Sequence, residues 1–163
     1  MEIDIVVADI ITNELQIDPS RVVVYGQNYK APDDQDLYVV IRTTNDTILS
    51  STNRFEKSTE KEIKKVNSFV DLIIEITSKN RDAYDRKHEI VMALTSTYSV
   101  KKQEELQFKL FRTKNIIDLT FIEGSSSLYR YNIPVRASVL HIKETTVDYF
   151  DKYRKPFVEI ERK

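Results

Sequence analysis

Ile3, Val7, Ile11 and Leu15 recur every four residues, with Val6 and Ile10 beside them, and predict an amphipathic helix over the first fifteen positions. Glu2 and Asp4 stand at its positive dipole end. Asp18-Pro19-Ser20 stops it. The β-branched run Arg21 to Tyr25, closed by Gly26, predicts a short strand. A polar loop with Pro32 runs from Gln27 to Gln35. Leu37, Val39 and Ile41 then alternate with Tyr38, Val40 and Arg42 as a strand apolar on both faces for part of its length. Thr44-Asn45-Asp46-Thr47 predicts a hairpin turn, because Asn and Asp tolerate positive φ, with a returning strand from Ile48.

Arg54 to Lys65 is dense in charge of both signs and predicts a hairpin tip or a frayed helical turn. From Val66 the pattern is strand again, Val70, Leu72, Ile74 and Ile76 sharing one face. Arg81 to Thr97 predicts a helix with a stripe of Ala83, Ile90, Val91 and Leu94, interrupted by Lys87. Ser99 predicts the cap of another helix reaching about Leu110. The competing strand reading rests on Leu106, Phe108 and Leu110, and the Lys, Glu and Gln content favours helix. Ile116 to Ile122 is a short apolar segment before the turn at Glu123 to Ser127. Tyr129 to Lys143 is the longest predicted strand. Tyr131, Ile133, Val135, Ala137 and Val139 face one way, and Pro134 signals an edge or a bulge. A last strand is expected at Phe157 to Ile160.

This order, with strands clustered between helices, predicts an α+β fold: an antiparallel sheet of about four to six strands with two or three helices packed on one face. A length of 163 residues argues for a single domain over 1–163, with a charged hairpin tip near 54–65 and a C-terminal extension near 147–163.

Composition narrows the function classes. Two glycines, Gly26 and Gly124, lie far apart, so no Gly-rich phosphate loop is present. The absence of cysteine excludes thiolate zinc sites, cysteine nucleophiles and disulfides, and fits a reducing compartment. A net charge of -1 gives no overall pull towards nucleic acid or an anionic membrane. The N-terminus carries acids where a signal peptide would be basic, and no apolar run has the length of a membrane span, so no membrane partner is expected.

The candidate chemistry is sparse. Asp85 and His88 share a helix face at i and i+3, but Arg86 and Lys87 beside them oppose a cation, and the pair reads as a solvated face. His141 reads as a half-buried sheet histidine. Asp33-Asp34-Gln35-Asp36 lacks the central glycine of a calcium loop and reads as a polar turn, and Glu104-Glu105 offers only one more acidic pair. No catalytic residue, metal ligand or cofactor is assigned. Tyrosine and arginine interleave at Tyr129-Arg130-Tyr131 and again from Tyr149 through Tyr153 to Arg154. Such pairs serve protein interfaces or stacked bases. Protein contact is preferred, since a basic surplus is missing, and an ordinary strand with mixed faces explains them equally. Arg54, Glu56, Lys57, Glu60 and Lys61 at the charged tip are further contact candidates, through charge pairing with a neighbouring subunit.

The element order resembles a known family. An N-terminal helix and a strand meander with a charged tip precede Arg86-Lys87-His88-Glu89-Ile90-Val91-Met92-Ala93-Leu94-Thr95-Ser96. A Gln/Glu segment, Ile117-Asp118-Leu119-Thr120, a turn and the Arg-bearing strand Tyr129 to Lys143 follow. Over roughly residues 1 to 145 this resembles phage neck and tail-terminator proteins. The resemblance implies an α+β virion subunit, assembled in the host cytoplasm, that forms a ring, commonly six-fold. The ring caps the tail tube, meets the head connector and lets genomic DNA pass through its lumen. It implies no catalytic residues. The competing readings are a subunit of another assembly, baseplate or secretion-related, a metal-dependent hydrolase or nuclease using Asp85, His88 and a further carboxylate, and a single-stranded nucleic-acid binder using the Tyr-Arg strand.

Overall fold

A computed structural model describes residues 2–26, 34–56, 58–111, 113–123 and 126–146. Lys57, Tyr149, Tyr153, the expected C-terminal extension near 147–163 with its strand at 157–160, Gly124 and residues 27–33 of the polar loop lie outside these residues.

The first helix, α1, spans Ile3–Leu15. Its four-residue stripe of Ile3, Val7, Ile11 and Leu15, with Ile10, is buried, as the spacing dictates. Gln16 ends it in the left-handed conformation, at φ 52°. Arg86 donates to the Leu15 carbonyl at 2.8 Å, which places a cation at the negative end of the helix dipole. A 3-10 turn, Pro19–Arg21, leads into β1, Val22–Val24. Gly26 follows at φ 98°, a conformation that costs glycine little.

The next strands are far longer than expected. β2 runs Tyr38–Glu56 and β3 runs Lys61–Ser78. The predicted turn at Thr44 to Thr47 is not a turn. β2 continues through it, and the register shifts between Thr43 and Asn45 and again between Ile48 and Ser50. These irregularities absorb the turn-prone residues without reversing the chain. The reversal comes at Glu56 to Lys61. There the Thr59 hydroxyl bonds the Glu56 carboxylate at 2.9 Å, and Glu60 takes φ 51°.

Helix α2 spans Asp82–Ala93 and α3 spans Thr97–Glu105. The cap of α3 is Ser96, not Ser99: the Ser96 hydroxyl accepts from Ser99 N–H at 3.0 Å. Ser99 is instead buried, with its hydroxyl on the Leu94 carbonyl. The helix stops at Glu105, so the alternation reading holds for the last turn: Phe108–Leu110 is a strand, β4. Gln103 fixes this switch, its side-chain carbonyl accepting from Leu110 N–H at 2.8 Å. Two short strands, β5 (Ile117–Asp118) and β6 (Phe121–Glu123), precede β7, Ser126–Thr146.

The fold is α+β, with seven strands and three α-helices among the described residues. The strand order is β1-β2-β3-β7-β4, with β5 and β6 also on β7. Every pairing is antiparallel except β1 with β2, which is parallel. β7 is interior over much of its length, although Pro134 signals an edge or a bulge. The Pro134 and Arg136 carbonyls accept from Thr113 and Phe111, so they face away from β3. A residue's N and O point to the same side of an antiparallel strand. The missing donor of Pro134 therefore lies in the stretch between β4 and β5, where it costs no ladder bond with β3.

The core lies between one face of the inner sheet and the helices. Ile41, Ile74 and Ile133 stand in one cross-strand row, all fully buried. Val7, Ile10 and Ile11 of α1 and Ile90 of α2 belong to the same buried cluster.

Candidate functional site

Beyond this core the three long strands continue without helices above them. Every β2 residue from Arg42 to Arg54 is exposed, as is β7 from Ile142 to Thr146. At about 3.3 Å per residue β2 is thus exposed on both faces for roughly 45 Å. None of the three strands has a buried residue over 51–56, 61–66 and 141–146, a three-stranded arm roughly 20 Å long. Farther in, Ser68, Val70 and Leu72 of β3 are buried. Charges of both signs lie on it. On one face are Arg54, Glu56, Lys61, Lys65 and Glu144; on the other are Asp46, Glu62, Lys64 and Lys143. Lys61 pairs Glu144 at 3.0 Å, and Lys64 pairs Glu62 at 3.0 Å. The Glu62 carboxyl sits below its ordinary range because Asn53 and then Lys64 donate to it.

At the root of the arm, on the face opposite the helices, Arg136 grips Asp71 through two hydrogen bonds of 2.6 and 3.1 Å. The guanidinium holds the Asp71 carboxyl below the usual aspartate range. An open groove of about 550 Å³ runs beside this pair, lined by Phe69, Ile73, Phe111 and Pro134. A depressed carboxylate stabilises the fold above its unfolded pKa of about 3.9 and loses that contribution as pH falls through the folded value. The melting temperature of the natural chain should therefore exceed that of Asp71→Asn near neutral pH. The gap should close below about pH 4 in paired thermal scans. A gap unchanged by acid would mean that the ion pair is not its source.

The sequence-predicted contact residues fall into two separated groups. Arg54, Glu56, Glu60 and Lys61 cluster at the arm tip. Tyr129, Arg130 and Tyr131 lie at the opposite end of β7, paired with Ser78, Thr77 and Ile76. Seventeen register steps separate Lys61 from Ser78, so the groups are roughly 55 Å apart along the strand. Tyr131 is only 3% exposed and belongs to the core, so it offers no face for a stacked base. Arg130 is half-buried and paired with Glu75 at 2.7 Å.

Lys87, the interruption in the apolar stripe of α2, has its ammonium 3.6 Å from the centre of the Tyr84 ring and 4.5 Å from that of Tyr131. Two tyrosine faces account for a cation on that stripe. The signal for this was present as tyrosine three residues before lysine, one helical turn apart. Asp85 faces Arg81 at 3.5 Å, and His88 is exposed. No cluster of three His, Cys, Asp or Glu side chains is placed to hold a metal among the described residues. Asp34 and Asp36 both pair with Arg21. No helix among the described residues is long and apolar enough to cross a membrane.

The structure is thus a helix-covered sheet that extends into a charged arm. The chain belongs to the phage neck terminator protein family, whose model matches residues 1–160. It is a tail terminator, a structural protein of the phage neck. Among solved structures it is similar to the sheath/tube terminator of an extracellular contractile injection system, PVC, in the extended state. That likeness has 10% identity and a TM-score of 0.44, and covers 99% of this chain and 65% of the other, so this chain spans about two thirds of that protein. Compared with curated proteins one by one, the sequence matches none.

Proposed function

We propose that copies of this chain join head-to-tail into a closed ring that caps the tail tube and meets the head connector. Genomic DNA passes through the lumen without sequence-specific contacts. The ring assembles in the host cytoplasm and works by shape, with no catalytic step. The observation that carries this reading is the family match over nearly the whole chain. Head-to-tail contacts close into a ring whenever the rotation between neighbours divides a full turn. The arm supports the reading, since it offers charges of both signs to a neighbour. A net charge of -1 supports passage of DNA, because the chain offers no excess of cations to trap phosphates. Arg54, Glu56, Lys57, Glu60 and Lys61 at the tip, and Tyr129 and Arg130 at the far end, are the proposed contacts.

Native mass spectrometry and negative-stain imaging of the full chain, with and without tube protein, test this. Rings, alone or seated on tube ends, are expected. A chain that stays monomeric at all concentrations and ignores tube ends overturns the proposal.

A further inference from the structure

The arm has two open edges. β1 covers β2 only opposite Val39, Val40 and Ile41, and β4 covers β7 only at Ala137, Ser138 and Val139. Among the described residues, no strand pairs with the outer edge of β2 from Thr43 to Arg54, or with that of β7 from Leu140 to Thr146. Exposed strand edges carry unpaired N–H and C=O groups in a row and recruit further strands unless they are blocked. Neither stretch contains proline. Both strands are antiparallel to β3, so both run towards the tip and are parallel to each other.

We infer that the arm is the ring interface: β7 of one copy adds alongside β2 of the next, as a parallel ladder, over residues 140–144 and 50–54. This rests on the ring reading above. Rotation about a ring axis keeps every copy the same way up, so the edge that meets β2 must run in its direction, as β7 does. A second copy is the occupant because one chain presents both halves of the contact.

Charge selects the register. Through β3, Ser50 stands level with Leu140, and Arg54 level with Glu144. With neighbouring copies level, Glu144 of one meets Arg54 of the next on the same sheet face. A two-residue slip towards the tip of β2 sets Glu144 against Glu56, and a slip the other way sets it against Thr52. Only the level register pairs opposite charges, and like charges across strands destabilise. Arg54 has no ion-pair partner among the described residues, and Glu144 already holds Lys61 at 3.0 Å, so the contact completes a Lys–Glu–Arg row.

The chain has no cysteine, which makes the test clean. Positions 54 and 144 both flank Ile63, so within one chain they lie two strand spacings apart, about 9.6 Å. That exceeds the roughly 7 Å a disulfide spans. The double variant Arg54→Cys, Glu144→Cys should therefore give, on mild oxidation, a ladder of linked oligomers on a denaturing gel, collapsed by reductant. Either single variant should give no ladder. In the unmodified chain, amide exchange in 50–54 and 140–144 should slow at least tenfold on assembly. Rings by native mass without a ladder, and without that protection, overturn the edge contact and leave the ring reading standing. Efficient dimers from Arg54→Cys alone would show a two-fold β2 contact and overturn it too. No assembly at all overturns both.

Discussion

Replacing Ile74 by alanine is expected to lower the unfolding free energy by about 2–5 kcal/mol. Ile74 sits at the middle of the cross-strand row Ile41, Ile74, Ile133, each with no accessible surface. The row lies beneath α1 and α2, where Val7, Ile10, Ile11 and Ile90 are also fully buried. Truncation removes three carbons from a site enclosed on both strand sides and from above. Backbone ladders fix the neighbours on either side, so the space cannot close by a small shift. The cost is the lost transfer energy plus that of the residual cavity. Urea unfolding should show an earlier midpoint with an unchanged slope. The same change at Ile48, 68% exposed on the arm, should move stability by no more than about 0.5 kcal/mol. Equal losses at both sites would mean that the arm is not solvent-facing in the free chain.

That contrast also separates what was legible in the sequence from what was not. Where one face is buried, spacing is decisive. Val70 to Ile76 and Tyr131 to Val139 alternate because every second residue meets the helices, and α1 repeats every four for the same reason. In the arm both faces are wet, so Thr43 to Asn53 carries no period at all. Asn45 and Asp46 then dominate the local signal and predict a turn where β2 has only a register shift. The charged run from Arg54 to Lys65 fits a hairpin tip or a frayed helical turn for the same reason. At α3 the local signals conflict. Lys, Glu and Gln favour helix, Phe108 and Leu110 alternate, and the contact that ends the contest, Gln103 on Leu110, depends on tertiary position. The parallel pairing of β1 with β2 likewise has no local signature. Of the site, the charged tip was visible as composition, but the open edges were not, because an edge is defined by which strands are missing beside it.

Shortening the arm is expected to separate folding from assembly. Deleting Ser51 to Val66 and joining Ser50 to Asn67 through Asn-Gly cuts the hairpin at a registered pair and supplies a favoured two-residue turn. The body keeps its cluster of buried residues, none of which lies within the deleted segment. Ordering each arm residue costs about 1–2 kcal/mol of backbone entropy, offset in the free chain mainly by ladder bonds and cross-strand contacts. A sheet region with both faces wet is close to that balance, so the unfolding free energy should change by no more than about 1 kcal/mol. Assembly should fail outright, native mass showing only monomer where the full chain forms rings. The reason is structural economy of a specific kind: a segment with so little of its own core persists as strand because something pairs with it. If the shortened chain still forms rings of the same size, subunit contacts lie on the helix-covered body instead, and the arm must serve the tube or the connector.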